Sequence, residues 1–212
     1  MIQNMKGAIF DLDGVIVDTA KYHYLAWKQL ALSLGFTFSE KDNERLKGVS
    51  RTRSLEILLE IGGLTFDAAA KEKMASQKNE WYVDYVRRLD ASELLPGSAE
   101  YIEQLHSKGI KTAIGSASKN TPMILDRLGI HHLFDSVVDG NKVSKAKPDP
   151  EVFLKAGLEL GLAASECVVF EDAEAGIQAA LSAGMGAVGI GKPAILHEAD
   201  VVISGLWQLL IL

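Results

Sequence analysis

Residues 8–19 read AIFDLDGVIVDT, and the abrupt change within them sets the first constraint. Gly7 to Asp11 is apolar until its last residue, as expected of a strand buried on both faces. Two carboxylates, Asp11 and Asp13, then follow with only Leu12 between them. Residues two apart in a strand project to the same face, so an extended chain aims both acids the same way. Two unscreened carboxylates at close range do not both ionise cheaply: either one keeps its proton or a cation sits between them. Asp13-Gly14 also suits a hairpin turn. The chain beyond does not return as a paired strand, however, because Val15-Ile16-Val17 gives way to Asp18-Thr19 and a helical pattern.

Working outward, short apolar runs alternate with helical ones. The runs Lys111 to Gly115, Ser136 to Val138, Cys167 to Glu171, Ala187 to Ile190 and Val201 to Ile203 read as further strands. Thr121-Pro122 and Asp149-Pro150 each offer an N-cap followed by proline at the first helical position, and Gly129, Gly161 and Gly184 stand where helices should stop. Strand and helix in repetition predict an α/β fold: a Rossmann-like, doubly wound parallel sheet covered on both faces. Residues 20–90 break the rhythm. His23, Trp27 and Leu30 share a helix face, and Arg51 to Ile61 and Thr65 to Arg88 also read as helices. The predicted organisation is a core of residues 1–17 and 91–212, with a helical cap domain of residues 18–90 inserted after the first strand and hinged where the chain crosses twice.

With a net charge of -6 the chain has no basic footprint for nucleic acid or anionic membrane, so an anionic ligand must be held locally. The lone cysteine, Cys167, excludes an internal disulfide and favours a reducing, cytoplasmic setting; it reads as a small hydrophobe of a strand. No stretch is long and apolar enough to span a bilayer, and Asp11 arrives before a signal-like core could form. The apolar tail LWQLLIL reads as a last helical turn against the core, or an interface. His131-His132 reads as loop, and a monomer is expected.

A parallel sheet gathers three polar strand ends on one edge: Asp11 and Asp13, Ser116 in GSASKN, and Glu171 and Asp172 in FEDAEAG. Four carboxylates there call for a hard cation, and Mg²⁺ suits them. Ser116 to Asn120, including the backbone of Ala117, leads into a helix whose N–H groups can hold phosphate oxygens, and Lys147 adds a mobile positive charge. Such a set suits phosphoryl transfer, with Asp11 attacking phosphorus and Asp13 as general acid and base.

DLDGVIVDT, the serine of GSASKN, the lysine of KPDP and the pair in FEDAEAG resemble, in order and over the whole chain, the four motifs of the haloacid dehalogenase superfamily. The resemblance implies that Mg²⁺ is held by Asp11, the Asp13 backbone carbonyl, Glu171 and Asp172, and that Ser116 and Lys147 bind the transferring phosphate. DTAKYHYLAWKQL, LKGVSR, SQKNEWYV and SASKN are similar to the superfamily's phosphosugar mutases. These interconvert β-glucose 1-phosphate and glucose 6-phosphate through a bisphosphate, so the implied partners are small sugar phosphates. Carried over, Arg51 would hold the non-transferring phosphate with Ser118 and Asn120. His23 and Lys78 would couple cap position to substrate, and Thr19, Trp27, Lys47, Gly48 and Val49 would line the closed site. Ala173 departs from the serine often found after the acidic pair; metal binding is expected to survive. A phosphatase of phosphosugars or phosphoglycolate shares these motifs. A signalling receiver is the remaining alternative, against which Asp13 and the cap both argue.

Overall fold

The computed structural model describes residues 2–46 and 49–210. In chain order they form β1 (Gly7–Phe10), α1 (Ala20–Ser33), α2 (Glu40–Asn43), α3 (Arg51–Gly62), α4 (Ala68–Val86), α5 (Ser98–Ser107), β2 (Lys111–Gly115), α6 (Thr121–Leu128), β3 (Ser136–Val138), α7 (Glu151–Glu159), β4 (Cys167–Glu171), α8 (Glu174–Ser182), β5 (Gly186–Ile190) and β6 (Val201–Ile203). All strand pairings are parallel, in the order β3-β2-β1-β4-β5-β6. The chain winds from β1 toward one edge and then returns to build toward the other. The switch point lies between β1 and β4, beyond whose carboxyl ends a doubly wound sheet binds its ligands.

The apolar runs become strands because both of their faces are buried. Ala8 and Phe10 join Ile114, Val168 and Phe170 on one face, covered by Tyr101 and Ile102 of α5 and Ile124 and Leu125 of α6. Ile9 joins Ala113, Val169 and Ala187 on the other, against Phe153 and Ala156 of α7 and Ile177 and Ala180 of α8. Phe10 stacks on Phe170 at 4.8 Å, directly beneath the polar strand ends. Truncating such a side chain to alanine costs about 3–5 kcal/mol, so the floor of the site is tied to the stability of the core.

Between β1 and β2 the described residues form helices and turns only. Trp27, Leu30 and Ala31 of α1 pack with Phe38, Leu46, Leu55, Leu58 and Leu59 into a separate apolar cluster. The two connections run side by side: Val17 bridges Leu94 in antiparallel fashion, Asp18 N–H donates to the Glu93 carbonyl at 3.2 Å, and Leu95 N–H donates to the Ile16 carbonyl at 2.9 Å. On the helix side of this double crossing, Lys21 and Tyr22 both bond Glu93.

Two helix starts differ from expectation by a residue. Asn120, not Thr121, is the N-cap of α6, and Pro150, not Asp149, precedes α7. Asp149 instead accepts the Glu151 N–H at 3.0 Å, so the acid satisfies an orphan donor from one position further out. His131 and His132 sit in a 3-10 turn, where His131 Nδ1 meets Asp126 at 2.8 Å. Of the tail, Leu206–Leu209 forms a 3-10 turn with Leu206 and Leu209 buried, while 211–212 lie outside the described residues.

Candidate active site

The Asp11 N–H continues the β1–β4 ladder by donating to the Phe170 carbonyl at 2.9 Å. The chain then turns through Gly14, whose φ is +82°. A Cβ there would collide with the Asp172 carboxylate, so glycine serves both the turn and the close approach of two strand ends. No hairpin forms: the Gly14 N–H closes on the Val17 carbonyl and the chain leaves for α1.

Asp11, Glu171 and Asp172 each present a carboxylate oxygen, all within 4.8 Å of one another. Lys147 lies among them, donating from Nζ to Asp11 Oδ1 at 2.7 Å and to Glu171 Oε1 at 2.8 Å. It is 2% exposed, so it is a fixed charge rather than the mobile one expected. Burial pulls its pKa down, but the two carboxylates outweigh burial and raise it above the ordinary lysine range. Burial pushes Glu171 upward against the pull of Lys147. The other Glu171 oxygen accepts the Ala173 N–H at 2.8 Å. Hard oxygen donors, clustered and buried, fit a divalent cation.

Asp13 is different in kind. Its Oδ1 is buried without a hydrogen-bond partner. Burial first, and the Asp11 charge second, push its pKa up to about 7, against the opposing pull of Lys78 and Lys147. Across from it His23 Nε2 stands 3.9 Å from Asp13 Oδ2. His23 Nδ1 meets Lys78 Nζ at 2.7 Å; with Lys78 as donor, a neutral His23 carries its proton on Nε2, facing Asp13. Burial, then Lys78 and Arg51, hold His23 well below the usual imidazole range. Burial and Arg51 likewise depress Lys78. Lys78 lies over the rings of Trp27 at 4.5 Å and Tyr82 at 4.8 Å, and Tyr82 stacks on His23 at 3.9 Å.

The loop after β2 is ordered by its own hydroxyls. Ser118 N–H donates to Ser116 Oγ at 3.1 Å, Asn120 N–H donates to Ser118 Oγ at 3.2 Å, and Thr121 Oγ1 donates to the Ser118 carbonyl at 2.9 Å. From beneath, Gly140 N–H and Asn141 Nδ2 donate to the carbonyls of Ser118 and Lys119.

One cavity of about 910 Å³ brings most of the expected residues together. The strand ends contribute Asp11, Asp13, Ser116 and Asp172; the loop contributes Ala117, Ser118 and Asn120. From the helical side come His23, Trp27, Val49, Arg51 and Lys78. Lys147 and Glu171 lie behind this wall, bonded to Asp11 and to each other. Thr19, expected to line the site, is fully buried, its hydroxyl beside that of Tyr82 rather than in the cavity wall. Lys47 and Gly48 lie outside the described residues. Sequence reading missed Tyr82, Asn79 and Lys119. Tyr82 had a usable signal, since it follows Lys78 at i+4 on α4 and so shares its face.

A profile of the haloacid dehalogenase-like hydrolases matches residues 5–184. The chain is 45% identical over 201 residues to β-phosphoglucomutase of Bacillus subtilis, covering 94% of this chain and 89% of that protein. It is 33% identical over 193 residues to a fructose-1-phosphate phosphatase of Escherichia coli, covering 90% and 98%. Among solved structures, β-phosphoglucomutase of Clostridium difficile superposes with a TM-score of 0.93 at 41% identity, covering 97% of this chain and 93% of that one.

Proposed function

Because the chain belongs to the haloacid dehalogenase-like hydrolase family, we propose that it is a phosphosugar mutase interconverting β-D-glucose 1-phosphate and glucose 6-phosphate. The observation that carries this reading is that Asp11 and Arg51 face one cavity large enough for a hexose with two phosphates, with Asp13, His23 and Lys78 along the same wall. The relatives named above support it: the two with the higher identities carry the name β-phosphoglucomutase.

In this reading residues 1–17 and 91–212 are the catalytic core, and 18–90 the cap that closes over it. Asp11, the Asp13 backbone carbonyl, Glu171 and Asp172 would hold Mg²⁺, which would supply charge neutralisation at the transferring phosphate. Ser116, the Ala117 backbone and Lys147 hold that phosphate, and Arg51, Ser118 and Asn120 hold the other. The 6-hydroxyl of β-glucose 1-phosphate gives its proton to Asp13 and attacks phosphorus of aspartyl phosphate on Asp11, breaking the acyl phosphate bond. The bisphosphate so formed turns over. Asp11 then attacks the 1-phosphate, the C1 oxygen leaves with the proton from Asp13, and glucose 6-phosphate is released.

The Asp13 environment suits a group that must both take and give a proton near neutrality. Lys147 holds the Asp11 carboxylate in place, its Nζ 2.7 Å from Oδ1. Water competes for the aspartyl phosphate, and a mutase wins only by holding the sugar hydroxyl in line within a closed site. The single buried thiol accords with a cytoplasmic setting.

The second reading is a phosphosugar phosphatase, favoured by the similarity to the fructose-1-phosphate enzyme. Inorganic phosphate measured against glucose 6-phosphate, starting from β-glucose 1-phosphate with Mg²⁺ and a trace of bisphosphate, separates the two. Glucose 6-phosphate should dominate; mainly free phosphate would sink the mutase. Arg51→Ala should cost most of the mutase turnover and little of a hydrolysis that ignores a second phosphate.

A further inference from the structure

Asn79 belongs to no expected site, yet its side chain bonds Asn120, a residue of the cavity wall. It follows Lys78 on α4, and its Oδ1 accepts a hydrogen bond from Asn120 Nδ2 at 2.9 Å across 41 residues of sequence. The other side-chain hydrogen bonds described between the helical segment and the sheet domain lie on Glu93, from Lys21 and Tyr22, and on the Arg87 carbonyl, from Arg127; within the cavity the looser contact is His23 Nε2 to Asp13 Oδ2 at 3.9 Å.

Asn120 is placed for a different task. It is the N-cap of α6, and asparagine is among the best N-cap side chains, but its carboxamide makes no capping bond. The side chain is diverted from its helix toward α4. The loop on which it stands is held by the Ser116, Ser118 and Thr121 hydroxyls and braced by Gly140 and Asn141. This hydrogen-bonded loop and α4 are thus joined through Asn120 and Asn79. One residue along that helix, Lys78 bonds His23, which faces Asp13.

We propose that Asn79 is a positioning residue: it orients the Asn120 carboxamide toward the second phosphate and sets α4 in register with the phosphate loop. A carboxamide nitrogen has two hydrogens, so Asn120 can donate one to Asn79 and keep the other for a phosphate oxygen. Seating the distal phosphate on Asn120 therefore pulls on the helix that carries Lys78. Occupancy of the far phosphate is in this way reported to the proton-transfer groups. The inference rests on the mutase reading and adds to it a residue that touches neither substrate nor metal.

The test compares two phosphate sources, one of which lacks a second phosphate. Asn79→Ala puts the best helix former on α4, so the fold is retained. With β-glucose 1-phosphate and bisphosphate, kcat/KM should fall about 5- to 100-fold, and the share of product appearing as inorganic phosphate should rise. Hydrolysis of acetyl phosphate, which offers nothing to Asn120, should stay at the parent rate. A cycle with Asn120→Ala should give a double variant no worse than the poorer single one. Equal losses on both donors would mean a merely structural role, and an unchanged kcat/KM would mean none; either overturns the proposal. If the parent protein forms no glucose 6-phosphate, the mutase reading has failed instead, and the same ratio is then read on the phosphosugar it hydrolyses.

Discussion

Asp11 and Asp13 are two residues apart and chemically opposite. Asp11 has a lysine 2.7 Å away; Asp13 has a buried oxygen with no partner. The consequence for Asp13 is a stability that depends on pH in the direction unusual for an aspartate. The unfolded chain releases this proton near 3.8, whereas the folded protein keeps it until about 7. Between those values the folded state binds more protons, so stability falls as pH rises and levels off above the folded pKa. Asp13→Asn removes that titration. In urea melts with a chelator present, the variant should gain on the parent from pH 4 to 7, by on the order of 2 kcal/mol after discounting for the partly exposed side chain. A gap that stays constant across that range would contradict the assigned environment.

At the scale of the element, α8 begins just after the clustered acids Glu171 and Asp172, and its N-terminus has no side-chain cap. Ala173 has the extended backbone of an N-cap (φ -118°, ψ 143°) but no side chain to cap with. Ala173→Ser supplies the hydroxyl, and should add about 1 kcal/mol, read as a rise in Tm of about 2–4 °C for a chain of this size. An unchanged Tm would show that the serine side chain cannot reach the first-turn N–H groups. The turn after β1 gives the opposite outcome. Gly14→Ala strains a φ of +82° and drives a methyl group into Asp172, so isothermal titration should find divalent-cation affinity lowered at least about tenfold. Binding as tight as in the parent would mean that Asp172 is free to move away. The strands and long helices were legible in the chain because burial imposes periods of 2 and 3.6 that are local. Helix starts were less so: the acid of Asp149 caps from one position outside, a choice that depends on backbone angles rather than residue type.

For the whole molecule, the acidic cluster is where cation binding would couple to stability. Three carboxylates present oxygens within 4.8 Å of one another, and Lys147 bonds two of them, Asp11 and Glu171. A ligand that binds only the folded state stabilises it by RT ln(1 + [L]/Kd), about 2.7 kcal/mol at one hundred times Kd. Mg²⁺ at that excess should therefore raise Tm by several degrees, and Asp172→Ala should abolish the rise. A Tm indifferent to Mg²⁺ would count against the proposed metal set.

The alternation of strands and helices, the helical insertion and the acids at the strand ends follow from the chain alone, since each is written in runs of ten or so neighbouring residues. The states of those groups do not. Lys147 reads in the chain as a loop charge, and becomes a buried clamp only because Asp11, 136 positions away, meets it at 2.7 Å. Lys78 acquires its depressed pKa from burial among Trp27, Tyr82 and Arg51, and Asn120 turns from its own helix to Asn79. Desolvation and pairing are set by which distant segments come together, so proton affinities and hydrogen-bond partners belong to the tertiary structure.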